Sequence, residues 1–104
     1  MDTPTVTISD STAKLVTKLC HTDRKFRLAC KQVILLNNQI RDLKQRYKRC
    51  GKNDKRSFRC SLRLRMATFE GVRNMIYEYA TEKCEEIEKM QSELVSVLDI
   101  ENQC

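Results

Sequence analysis

Residues 12–50 read TAKLVTKLCHTDRKFRLACKQVILLNNQIRDLKQRYKRC, and their apolar residues recur at alternating intervals of three and four. One position of this repeat holds Thr12, Leu19, Phe26, Val33, Ile40 and Tyr47, and the other holds Leu15, Thr22, Ala29, Leu36, Leu43 and Cys50. Nine of these twelve residues are apolar or cysteine. A pattern sustained over five heptads predicts a long α-helix that packs against another helix.

The residues at both ends of this stretch predict where the helix begins and ends. Ser9, Asp10 and Ser11 are candidate N-caps, because their side-chain oxygens can accept hydrogen bonds from the free backbone N–H groups of a first turn. At the other end, basic side chains precede Gly51, and both features suit a helix C-terminus. We therefore predict a first helix over about residues 10–50, after a flexible N-terminal arm at residues 1–8.

A second helix is predicted after Asn53 or Asp54, either of which can serve as its N-cap. Its apolar stripe consists of Leu62, Met66, Phe69, Val72, Ile76, Ala80, Ile87, Met90, Leu94 and Val97 or Leu98. The margins of this stripe contain Arg65, Arg73 and Lys83, so the pattern predicts the helix better than its inward face. We place the helix at about residues 55–98, after a turn at 51–54, with a short C-terminal tail at 100–104.

The scarcity of turn-forming residues supports two long helices rather than a sheet. The chain has one proline, Pro4, and two glycines, Gly51 and Gly71. A turn of about four residues returns the second helix alongside the first. The predicted fold is all-α: residues 9–99 form an antiparallel two-helix hairpin, coiled-coil-like, with a rod length of about 60 Å.

Two helices cannot fully cover each other's apolar stripe, and the remaining surface predicts a further partner. The stripe is widened by Leu28, Ile34, Leu35, Tyr79 and Val95. We expect self-association into a four-helix bundle, or insertion into a larger helical assembly. The residues predicted for this assembly interface are Leu19, Phe26, Val33, Leu36, Ile40, Phe69, Ile76, Ile87 and Met90.

The positive charge of the chain is concentrated around the predicted turn. Eleven of the 20 Lys and Arg residues lie within residues 41–65, where two acidic residues leave a net charge of +9, whereas residues 66–104 carry −6. A hairpin that turns at 51–54 gathers this charge at one end of the rod. The residues predicted to bind an anionic partner are Arg46, Lys48, Arg49, Lys52, Lys55, Arg56, Arg59 and Arg63.

Four interpretations of this cluster are open: an acidic protein surface, nucleic acid, an anionic membrane, or charges that only keep the rod soluble. Nucleic acid is less favoured because Tyr47 and Phe58 are the window's only aromatic residues and no known recognition motif is present. The leading hypothesis is a non-catalytic interaction or adaptor module that presents a basic turn to an acidic partner. The alternative is a nucleic-acid-binding or anionic-lipid-binding accessory protein.

The sequence offers little for modification, metal or catalytic chemistry. Ser57 and Ser61 lie among arginines and are candidate phosphorylation sites, where each phosphate would subtract about 1.5 to 2 charges. The six cysteines form no C-x-x-C pair, and no metal or other cofactor is expected. The single histidine, His21, neighbours polar residues, and no catalytic residue is predicted.

The N-terminal sequence predicts the compartment. Residues 1–7 lack the basic start and apolar stretch of a secretory signal, and no apolar run approaches the ~20 residues that cross a bilayer. We therefore expect a cytoplasmic or nuclear protein with reduced thiols.

Overall fold

The computed structural model describes residues 9–50 and 56–102, and these form two α-helices. Helix α1 spans Asp10–Arg49 and helix α2 spans Arg56–Asn102. The two helices pack against each other as an antiparallel hairpin, and this part of the chain contains no strand. The predicted all-α hairpin is therefore confirmed, and its extents are 78 × 28 × 16 Å.

Local hydrogen bonds explain the ends of α1. Ser9 is its N-cap: the backbone N–H of Thr12 donates to Ser9 Oγ at 3.3 Å, and the two hydroxyls lie 2.9 Å apart. At the C-terminus the backbone N–H of Cys50 donates to the carbonyls of Arg46 and Tyr47 at 3.1 and 3.2 Å. Of the three candidate N-caps, the structure selects Ser9.

Helix α2 is longer than predicted. It begins at Arg56 and continues to Asn102, so residues 100–102 of the predicted tail are helical. Its 47 residues, at about 1.5 Å each, account for most of the 78 Å length, which exceeds the predicted rod. The predicted arm at residues 1–8, the turn at 51–54 and residues 103–104 lie outside the described residues.

The contact between the helices, which we call the seam, uses the predicted face of α1. All twelve residues of its repeat are buried or half-buried, and Ala29, Ile40 and Leu43 are each only 3% exposed. Thr22 is buried too, and its hydroxyl donates to the Lys18 carbonyl at 2.9 Å. The heptad pattern therefore identified the inward side of α1.

The inward side of α2 differs from the predicted stripe at Val72, and it also includes Arg59 and Lys83, which the stripe left out. Val72 is exposed and Arg73 is half-buried in its place, because the alternation of three and four from Phe69 to Ile76 passes through residue 73. The aliphatic stem of an arginine can cover apolar surface while its guanidinium reaches polar groups. The seam residues of α2 are Arg59, Leu62, Met66, Phe69, Arg73, Ile76, Ala80, Lys83, Ile87, Met90, Leu94 and Val97.

All nine residues predicted for an assembly interface lie in this seam, where they are buried or half-buried, so they contribute to the contact of α1 with α2. Their role in assembly with another molecule stays a prediction. Apolar surface outside the seam is formed by other side chains, including the exposed Leu28, Ile34, Leu35 and Met75.

The seam divides the remaining surface into two broad faces. Successive residues are about 100° apart around a helix, so a residue that follows a seam residue and one that precedes it lie on opposite sides. Asn37 and Lys44 each follow a seam residue of α1, and they meet α2: Arg73 Nη1 donates to Asn37 Oδ1 at 3.1 Å, and Lys44 Nζ lies 3.6 Å from Glu70 Oε1. In both helices, residues that directly follow a seam residue therefore share one face, which we call the front face. Residues that directly precede a seam residue share the opposite face, the back face.

Candidate functional site

The described residues of the predicted anion-binding site gather at the turn end of the rod. They lie in the last turn of α1 and the first two turns of α2. Five of them are exposed and Arg59 is half-buried, whereas Lys52 and Lys55 lie outside the described residues. We call the described set the basic pole: Arg46, Lys48, Arg49, Arg56, Arg59 and Arg63.

The two helix ends at this pole differ electrostatically. Basic residues in the last turn of α1 complement the partial negative charge of a helix C-terminus. The first turn of α2 contains no acidic residue and begins with Arg56, which opposes the partial positive charge there. Each such mismatch costs about 0.3 to 1 kcal/mol, so α2 is not optimised for its own stability at this end.

Arg59 is held in the seam by Tyr47. Its guanidinium carbon lies 5.1 Å from the centre of the Tyr47 ring, and Nη2 donates to Tyr47 Oη at 3.3 Å. Its Nε is buried, and no hydrogen-bond partner for it is found among the described residues. Arg59 thus joins the helices at the pole and is less accessible to a partner than its neighbours.

An open groove lies on the front face beside the pole. Its volume is about 390 Å³, and its lining residues are Lys44, Tyr47, Lys48, Arg63, Met66, Ala67 and Glu70. The floor is apolar, with the half-buried Tyr47 and Met66. Lys48 and Arg63 are exposed on its rim, and neither forms an ion pair with another described residue.

The groove divides the predicted binding residues. Lys48 and Arg63 line it, whereas Arg46 and Arg49 precede seam residues and lie on the back face. Arg46 is also paired with Asp42, at 3.2 Å between Nη2 and Oδ2. The groove's apolar floor and its Lys44–Glu70 pair were not predicted. The signal for them was the heptad phase near the turn, since Lys44 and Glu70 each directly follow a seam residue.

The other candidate residues are dispersed. His21 and Cys20 are exposed on α1, and His21 borders a separate surface groove with Asp10, Lys14 and Lys18. Ser57 and Ser61 are exposed in the first two turns of α2. No group of three His, Cys, Asp or Glu side chains that could hold a metal ion occurs within residues 9–50 and 56–102.

Comparisons with known protein families, with curated proteins and with solved structures find no match to this chain. Within the described helices there is no segment both long enough and apolar enough to cross a membrane. The function proposed below therefore depends on the geometry and charge of the hairpin itself.

Proposed function

We propose that this protein is a non-catalytic helical-hairpin interaction module that presents its basic pole to an acidic protein segment and assembles through its remaining apolar surface. The observation that supports the first part is the front-face groove, where Lys48 and Arg63, two cations with no ion pair among the described residues, stand above an apolar floor.

The floor favours a protein segment over a polymer of phosphates. Duplex nucleic acid and lipid headgroups are bound chiefly through their charge, and the groove's single aromatic ring, Tyr47, already contacts Arg59 and offers little for base stacking. An amphipathic helix carries both carboxylates and an apolar anchor, and it can bury that anchor in a groove. Glu70, at the groove's edge, also makes the groove less suited to a uniformly anionic chain.

The surrounding charge supports fast encounter with such a segment. The described residues of the half of the rod nearer the turn, 28–50 and 56–81, include eleven basic and three acidic side chains, for a net charge of +8. A concentrated field of one sign raises association rates with acidic partners, and salt reduces this effect.

The experiment uses two labelled helical peptides with identical glutamates, one with a leucine stripe and one with alanine in place of leucine. We expect the leucine peptide to bind at least about tenfold more tightly by fluorescence anisotropy, because burial of one leucine contributes about 1.5 to 3 kcal/mol. Heparin, duplex DNA, RNA and acidic vesicles are tested in the same salt series.

Two double variants locate the site. Lys48→Glu with Arg63→Glu is expected to weaken leucine-peptide binding more than tenfold, because both cations of the rim are reversed. Arg46→Glu with Arg49→Glu makes the same change in net charge on the back face and serves as the matched control, with a loss of only a few-fold. Equal losses in the two variants, together with tight and salt-steep binding of a polyanion, would overturn the proposal in favour of a nucleic-acid or lipid ligand.

A further inference from the structure

The back face carries a patch of exposed apolar side chains that the hairpin leaves uncovered. Its members are exposed to between 40% and 70% of their surface. We call them the apolar patch: Leu28, Leu35, Val72, Met75 and Tyr79. Single exposed apolar residues are ordinary, but a group that two helices contribute to one face over a short length of the rod indicates an interaction surface.

Helical phase places these five residues together. Leu28 and Leu35 precede the seam residues Ala29 and Leu36, and they are seven residues apart on α1. In α2 the patch members likewise each precede a seam residue, and they are spaced by three and four residues. All five therefore lie on the back face, on the side opposite to the groove.

The patch lies midway along the rod. Leu28 and Leu35 lie on either side of the centre of Asp10–Arg49, and the patch members of α2, which are centred near Met75, lie within seven residues of the centre of Arg56–Asn102. A twofold axis that lies against the back face at this level, perpendicular to the rod, brings the patch into contact with the same patch of a second copy. Such self-complementary contacts are the commonest form of oligomer interface.

The charge distribution selects the direction of the second copy. The described residues of the half near the turn carry +8, whereas those of the far half, 10–27 and 82–99, include seven basic and eight acidic side chains, for −1. A parallel pair places +8 beside +8, and an antiparallel pair places +8 beside −1. Like charges brought together across an interface oppose association, so the antiparallel pair is favoured.

From these observations we infer that the apolar patch binds a second copy of this chain, with the two rods antiparallel and back face against back face. This inference deepens the assembly part of the proposed function, on which it rests, and leaves the groove on the outer surface of the pair. A standard interface takes roughly 800 Å² from each partner, and a rod 78 Å long and two helices wide, at about 10 Å for each helix, is large enough to supply it.

The same geometry predicts one contact between copies. The axis places α2 over α2 of the second copy, with Met75 near the centre. Arg65 lies ten residues before Met75 and Glu86 lies eleven residues after it, and both precede seam residues. Arg65 of one copy therefore comes to the level of Glu86 in the other.

The test of the patch compares neighbouring residues on opposite faces. Leu35 and Ile34 are 61% and 59% exposed, and Met75 and Tyr77 are 70% and 63% exposed. By sedimentation of the reduced protein we expect twice the chain mass of 12.2 kDa for the wild type and for Ile34→Asp with Tyr77→Asp. Leu35→Asp with Met75→Asp is expected to raise the dimer dissociation constant at least about 100-fold.

All four positions lie outside the seam, so we expect every variant to retain its helices. Circular dichroism checks this expectation. Retained leucine-peptide binding by the Leu35→Asp, Met75→Asp monomer separates this inference from the groove proposal, so that either can fail alone. A monomeric wild type at all concentrations, or dissociation by the Ile34→Asp, Tyr77→Asp control, contradicts the inference.

A charge exchange tests the direction. In Arg65→Glu the two contacts of a homodimer pair carboxylate with carboxylate, and in Glu86→Arg they pair cation with cation. A mixture of the two variants restores opposite charges at both contacts, so we expect each variant alone to dimerise several-fold more weakly and the mixture to form a heterodimer. A mixture that associates no better than the separate variants rules out the antiparallel arrangement.

Discussion

The two sides of the seam use the same spacing but different chemistry. The twelve positions of α1 contain no charged residue, whereas the twelve positions of α2 contain Arg59, Arg73 and Lys83. All of these residues are buried or half-buried. The comparison shows that the interval between residues determines which of them face the partner helix, even where the residue itself is charged.

Each cation of α2 is accommodated by a polar or aromatic group. Arg59 stacks on Tyr47, and Arg73 donates to Asn37 across the seam and to Asn74 at 3.4 Å. Lys83 lies 5.2 Å from the centre of the Tyr79 ring, and its Nζ is 3.1 Å from Glu86 Oε2. Because two of these partners belong to α1, the cations also favour one alignment of the helices over a slipped one.

The largest expected effect comes from the apolar side of the seam. Ile40→Ala removes a side chain that is 3% exposed, and we expect it to lower the free energy of unfolding by about 2 to 4 kcal/mol, measured by urea denaturation. Ile34→Ala deletes the same atoms at an exposed site and should cost no more than about 0.5 kcal/mol. Equal losses at the two positions would show that the seam is not the core of the fold.

At a charged position on the α2 side of the seam, we expect a substitution to raise the free energy of unfolding. Arg73→Leu makes this position apolar like those of α1, and we expect it to raise the free energy of unfolding by about 1 kcal/mol. The control, Arg24→Leu, lies on the exposed outer side of α1 and should leave the urea midpoint unchanged. A destabilised Arg73→Leu would mean that the bond to Asn37 outweighs apolar burial.

A smaller effect is expected where the two sides meet at the basic pole. Tyr47→Phe keeps the ring beneath Arg59 and removes the acceptor of its hydrogen bond, whereas Tyr47→Leu removes both interactions. We expect losses of about 0.5 kcal/mol for phenylalanine and about 1 kcal/mol for leucine, measured by thermal melting. Identical melting curves for all three proteins would show that Arg59 packs without help from Tyr47.

The smallest effect concerns Lys83 and depends on pH. Its hydrogen bond to Glu86 raises the pKa of Lys83 above the ordinary value of 10.5, against the opposing effect of desolvation. A raised pKa in the folded state means that the pair stabilises the fold below pH 10.5 and that this contribution is lost as the pH rises through the folded pKa.

Glu86→Gln is therefore expected to lower the melting temperature slightly near neutral pH and at low salt. The difference from wild type should shrink once the pH exceeds the folded pKa of Lys83. The exposed Glu78→Gln changes the net charge equally and serves as the control. A difference that is constant with pH would assign the effect of Glu86 to something other than its pairing with Lys83.

The sequence predicted α1 more fully than α2, and the reason is visible in particular residues. The α1 pattern has apolar residues at nearly every inward position, so its phase is unambiguous. In α2, Val72 stands beside Arg73, and hydropathy alone favours the valine. The groove was not predicted because it needs residues from both helices, such as Lys48 and Arg63, to be aligned across the seam.

The amino-acid sequence by itself determined the two helices, their antiparallel order and the gathering of positive charge at the turn. These features depend on spacing along one chain and on the scarcity of Gly and Pro, which are local properties. Only the tertiary structure decided that Arg59, Arg73 and Lys83 face inward and that Lys48 and Arg63 line one groove across the seam. The physical reason is that burial depends on the rotation of each helix against its neighbour, and two packed helices settle that rotation jointly.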